Sequence, residues 1–252
     1  MKFFTWKVKL GIILLISAFL IYELAFLLFD HNKVFFYIII DLAFIPIDIL
    51  IITLVIEGII SSKEKETFLE KLDMILGVFF SEIGTDFLAK FSQTNKCEGT
   101  IQQKLCNIGN WEDDEYKVFL KKLKEKTYRS DLRIPQNEKH LFFEDVKETL
   151  TEKREFLMRL LENPNLFEKD SFSNLLLAIF HLDDELERRT TLDNIPDTDS
   201  DHLIRDIERV YCRLIYEWVN YLYYLKDRHP YIFSIVVRTN PFDKSSDIYV
   251  RE

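Results

Sequence analysis

Three carboxylates, Glu23, Asp41 and Asp48, stand inside stretches that are otherwise apolar. An ionised carboxylate near the centre of a bilayer costs roughly 2.5 to 3.5 kcal/mol, so acids placed there must share protons, pair or line a polar path. Counted from Asn32, Glu23 lies nine residues back and Asp41 nine residues on. Two antiparallel helices would hold them at one depth, roughly 13 Å from the turn at about 1.5 Å per residue. Asp48 follows Asp41 by seven residues, which is two helical turns and therefore the same stripe. Pro46 between them has no N–H and its ring displaces the carbonyl of Leu42, which predicts a kink. Three chemistries are open to this set. Rings of carboxylates favour cations; protonated acids hydrogen-bond neighbouring helices; a partner subunit could neutralise them.

A second constellation has the spacing of a calcium loop. Asp197, Asp199, Asp201 and Glu208 fall at positions 1, 3, 5 and 12, with Ile204 at the apolar position 8. Position 6 is His202 where the sharp turn needs glycine, and Pro196 stands where an incoming helix would end. The competing reading is a helix start, in which these acids cap orphan amides and complement the helix dipole. His181, Asp184 and Glu185 share one helix face and form a possible metal cluster, although no second histidine motif of the E-x-x-H or H-E-x-x-H kind accompanies them. Asp183 and Glu187 are the acid pair that a membrane-facing hydrolase would need. No Walker loop, G-x-G-x-x-G or G-x-S-x-G occurs. A non-enzymatic protein without cofactors is the expectation.

The elements that must position these residues begin with two apolar runs, about 10–29 and 34–60, joined by four residues. Each is long enough to cross a hydrocarbon core of about 30 Å, for which roughly 20 residues suffice. The first run is longer than a signal-peptide core, and no small-x-small cleavage site follows it. Lys2, Lys7 and Lys9 flank the pair on one side and Lys63, Lys65 and Lys71 on the other, which predicts both termini in the cytoplasm and the pair in the cell (inner) membrane. Glu57 lies near the interface and can snorkel to water.

A capping box at Ser61 and Glu64 predicts a new helix over 61–92. Its apolar face carries Phe68, Leu72, Leu76, Phe79, Ile83, Phe87 and Phe91, and its small strip of Gly77, Ser81 and Gly84 admits a close helix neighbour. Residues 93–110 read as a loop. Periodic helices are expected over about 112–126, 137–162, 171–189 and 201–226, with Pro135 and Pro164 marking breaks. In the last of them Ile204, Ile207, Tyr211, Leu214, Trp218, Tyr221 and Leu225 alternate spacings of three and four. Val210, Val219 and Leu222 widen that face, as burial in a bundle requires. Residues 231–237 have strand composition, but Pro230 and Pro241 bracket them too closely for a sheet.

The fold class is therefore all-α: a transmembrane helical hairpin at 1–60, an amphipathic connecting helix, and a cytoplasmic helical bundle over 111–252. The 252 residues carry 33 Lys and Arg against 42 Asp and Glu, for a net charge of −9. Nearly all of that excess lies beyond residue 60, and an acidic domain is unsuited to phosphate backbones, so nucleic acid is excluded as a partner. Cys97, Cys106 and Cys212 form no C-x-x-C pair. The expected partners are membrane lipid and either a second copy of the chain or another protein. A homo-oligomeric cation channel lined by Asp41 and Glu23 is the alternative.

GVFFSEIGTDFL (77–88), LLENPNLFE (160–168) and RTNPFD (238–243), behind the DLAFIP of 41–46, together resemble a set of uncharacterised two-span prokaryotic membrane proteins with a cytoplasmic helical domain. The resemblance implies topology and an all-helical domain, and assigns no activity or functional residue.

Overall fold

The computed structural model describes residues 13, 16, 17, 19–21, 23, 24, 26, 27, 31–94, 101–125, 130–163, 166 and 169–249. All of the described residues from 13 to 27 are helical, while the rest of the first apolar run lies outside the described residues, as do Cys97 and Pro164. The chain divides into two compact units, Met1–Glu66 and Thr67–Glu252. Among the described residues the fold is all-α, without strands.

Helix α1 (His31–Phe79) contains Pro46 and contributes to both units. In the first unit it supplies one segment long and apolar enough to cross a membrane, Val34–Ile60, with a mean hydropathy of 2.6. The helix start expected at Ser61 is not a start, because α1 runs through it. Amides inside a helix are already bonded to the preceding turn and need no cap.

In the second unit α1 passes into a π-helical turn, Phe80–Gly84, and then into α2 (Thr85–Thr94). The sequence explains why a wide turn sits there. Phe79, Ile83, Phe87 and Phe91 are spaced by four throughout, and in a regular α-helix such a run drifts about 120° around the axis. A π turn absorbs roughly one residue and removes most of that drift. All four side chains are consequently buried, at 0 to 1% exposure.

Next come α3 (Ile101–Cys106) and a 3-10 turn, Ile108–Asn110, inside the stretch expected to be a loop. Three helices follow: α4 (Asp113–Lys124), α5 (Lys139–Leu161) and α6 (Asp170–Glu187). The first turn of α4 holds Asp113, Asp114 and Glu115, and the Glu115 carboxylate accepts the Glu112 N–H at 2.8 Å. Asn194, at φ 55°, turns the chain after α6 in a conformation that asparagine tolerates. Helix α7 (Asp197–Arg228) is the 32-residue centre of the unit, and α2, α4, α6 and α8 (Pro230–Arg238) all pack on it. Leu203, Ile207, Val210, Leu214, Trp218, Val219 and Leu222 are all fully buried, so α7 is a core helix rather than a two-stranded seam. The segment with strand composition is helix α8, with Pro230 at the first position, where a missing N–H costs nothing.

Two of the motifs behind the family resemblance close this core. Asn240 donates to the carbonyl of Leu105 at 2.8 Å, and its Oδ1 accepts the Phe242 N–H at 2.9 Å. That turn seats Phe242 on Trp218, with ring centroids 5.1 Å apart. Gly77 lies against Tyr221, whose hydroxyl would stand 2.8 Å from a Cβ at that position. Gly84 is covered by the rings of Phe79 and Phe80, and Ser81 is exposed, so the small residues do not form one strip.

Candidate functional site

A group of charged side chains lies along the seam where α6 packs on α7. Residues four apart on one helix share a face, so His181 and Glu185 of α6 meet His202 and Asp206 of α7. The Nε2 atoms of His181 and His202 each lie 3.4 Å from Asp206 Oδ2, and His202 Nε2 is 3.9 Å from Glu185 Oε2. Asp206 is buried at 2% exposure, with Arg209 Nη1 2.9 Å from its other oxygen. Both histidines are partly open to solvent.

One turn further along, Arg189 binds Asp199 through two contacts, Nε to Oδ2 at 2.8 Å and Nη2 to Oδ1 at 2.6 Å. It also holds Glu185 Oε2 at 2.8 Å. Hydrogen bonding to the guanidinium lowers the pKa of both Asp199 and Glu185. On the opposite side of α6, Arg154 of α5 gathers Asp183, Asp184 and Glu187. Asp183 and Glu187, the pair considered for hydrolysis, are thus partners of one arginine. Burial nonetheless pushes the Asp183 carboxyl upward.

The calcium spacing does not produce a calcium loop. Residues 197–208 all lie in α7, where positions two apart point about 200° away from each other and cannot face one ion. Asp197 accepts from Gln136 at 2.9 Å, Asp199 from Arg189, and Glu208 from the Leu132 N–H at 3.0 Å, while Asp201 stands 3.9 Å from Lys139. Asp197 and Asp199 sit in the first turn of α7, with Lys226 and Arg228 in the last, as the helix dipole favours. Of the possible cluster His181, Asp184 and Glu185, the histidine and Glu185 turn toward α7, whereas Asp184 faces Arg154.

Glu23, Asp41, Asp48 and Pro46 are exposed on helical segments of the first unit, with Asp41 in a shallow groove beside Ile38, Leu42 and Ile45. Sequence periodicity gave no hint of a further group, in which Lys169 approaches both Glu217 of α7 (3.4 Å) and Asp73 of α1 (4.0 Å). Burial raises the Asp73 carboxyl to about 6, against the opposing pull of Lys169. The signal that could have exposed the seam is a repeated pattern, HLDDE at 181–185 and HLIRD at 202–206, which places a histidine and an acid on one face of each of two consecutive helices.

Residues 68–238 match the family model described as uncharacterized protein MJ1433, C-terminal helical domain. Residues 2–60 match that of the MJ1433 N-terminal helical domain. The chain is 41% identical over 240 residues to the uncharacterized protein MJ1433 of Methanocaldococcus jannaschii, with 95% of this chain and 94% of that protein covered. No solved structure matches it.

Proposed function

The chain belongs to the MJ1433 family of helical proteins, and from that premise we propose that it is a non-enzymatic membrane protein whose helical anchor carries an acidic interaction domain on the cytoplasmic side. The observation that carries this reading is the Val34–Ile60 segment. Its 27 residues reach roughly 40 Å at about 1.5 Å per residue, more than a hydrocarbon core, and none of its most apolar window is buried within the protein. Ile49, Ile51, Ile52, Leu54, Val55 and Ile59 are each half exposed or more. A continuous apolar surface of this size requires a covering, and lipid suits its length.

The first run, 10–29, completes a hairpin in this proposal, with the lysines at 2, 7, 9 and 63 holding both ends inside. The domain's partner is a second copy or another protein, met through a surface of surplus carboxylates. An alkaline carbonate wash of membranes containing the full chain tests the anchor. The protein should stay in the pellet, and its appearance in the soluble fraction would refute the reading. Conductance in reconstituted bilayers that disappears in Asp41→Asn would replace the anchor with a homo-oligomeric pore.

A further inference from the structure

The three atoms His181 Nε2, His202 Nε2 and Asp206 Oδ2 all lie within 4.8 Å of one another. Two independent features separate this group from an ordinary surface ion pair. The first is distance. A histidinium bonded to a carboxylate sits about 2.7 to 2.9 Å away, whereas both imidazole nitrogens stand 3.4 Å from the one oxygen. Ligand bonds of about 2.0 to 2.1 Å arranged tetrahedrally put neighbouring donor atoms roughly 3.3 Å apart, close to the 3.4 Å that separates each imidazole nitrogen from Oδ2.

The second feature is the carboxylate itself. Asp206 is 98% removed from solvent, and neither of its oxygens has a hydrogen-bond partner, although Arg209 is ion-paired to Oδ1. A buried carboxylate normally has its lone pairs occupied. Here Oδ2 lies 3.4 Å from both imidazole nitrogens. Arg209 fixes the orientation from behind, in the way that outer partners orient metal-bound carboxylates.

We infer that the α6–α7 seam is a binding site for a zinc-class divalent ion, held by His181 Nε2, His202 Nε2 and Asp206 Oδ2. Imidazole and carboxylate together suit this class of metal. Glu185 Oε2, the next nearest acid, is held by Arg189 at 2.8 Å and stays outside the ligand set. Three protein ligands leave a coordination position open, and it faces solvent because His181 and His202 are 45% and 43% exposed. The ion would tie α6 to α7 across the surface of the domain.

The test uses the full chain in detergent, without a polyhistidine tag. Equilibrium dialysis should show one equivalent of Zn2+ per chain, and Co2+ should give the visible absorption of a low-coordinate nitrogen and oxygen site. His181→Gln and His202→Gln alter partly exposed side chains and should keep the wild-type circular dichroism. Each should weaken Zn2+ binding by more than about tenfold, since even outer-shell losses cost that much. Glu187→Gln, beside Arg154, should bind as the wild type does. The inference is overturned if the wild type takes up no Zn2+ at micromolar concentration, if both histidine variants bind unchanged, or if Glu187→Gln is the variant that loses the ion.

Discussion

The Lys169 ammonium stands 3.4 Å from the carboxylate of Glu217, a side chain with no exposed surface and no hydrogen-bond partner for either oxygen. Lys169 is therefore the group that makes a charge tolerable at Glu217. Lys169→Met should destabilise the domain by about 3 to 5 kcal/mol, the usual result of stranding a buried charge. Lys169→Met combined with Glu217→Leu should recover most of that loss, because an apolar pair of similar volume replaces the ions. Urea unfolding of the two proteins checks this, and equal losses in both would show that Lys169 acts through packing alone.

Asp73 shares the same lysine at 4.0 Å, and burial raises its carboxyl to about 6. A folded-state pKa above the unfolded value means that the folded protein holds this proton more tightly. The stabilisation is complete in acid and is lost as pH rises through about 6. Asp73→Asn should therefore raise the melting temperature at pH 8, where the wild type carries the ionised form. The advantage should shrink as pH falls below 6. Thermal unfolding of both proteins from pH 5 to 8 measures it, and an advantage that is flat across the range would dismiss the assignment.

Gly77 and Tyr221 set two effects against each other. An alanine at Gly77 gains about 1 kcal/mol in helix propensity, but its Cβ would lie 2.8 Å from the Tyr221 hydroxyl, and overpacking costs typically 1 to 3 kcal/mol. Gly77→Ala should destabilise the wild type. In a Tyr221→Phe background the nearest ring atom is 3.5 Å away, so the same substitution should become neutral or stabilising. A double-mutant cycle reads the coupling. Identical effects in both backgrounds would rule out the hydroxyl as the opposing group.

Helices α4 to α7 were legible in the sequence because their apolar spacing and charged first turns are local signals. Their ends shifted by a few residues at most, with α7 beginning directly after Pro196. Residues 101–106 were missed because six residues, of which only Ile101, Leu105 and Cys106 are apolar, are too few to show a period, and the helix depends on Leu105 entering a core made elsewhere. The uninterrupted course of α1 was hidden by Ser61 and Glu64, a capping pattern that also occurs inside helices. For the site, half the information was visible. His181 and Glu185 could be placed on one face, but whether that face meets His202 and Asp206 depends on the register between α6 and α7. Interhelical register is set by the packing of residues such as Leu182, Leu186, Leu203 and Ile207, and no single helix encodes it. The calcium spacing failed for the converse reason: a loop pattern counted along the chain loses its geometry once the same residues coil into a helix.

The wide turn at Phe80–Gly84 makes the length of this segment as consequential as its composition. Loss of any one residue there would let the backbone revert to regular α-helix. Phe87 and Phe91 would then fall seven and eleven residues from Phe79 and stay within about 20° of its face, whereas one residue gained there would swing them about 100° out of phase, without any change in their chemistry. Two stacked rings whose centroids are 5.1 Å apart would then face water in place of the interior. Related chains should consequently tolerate conservative exchanges, or loss of the one extra residue, at these positions far more readily than single-residue insertions.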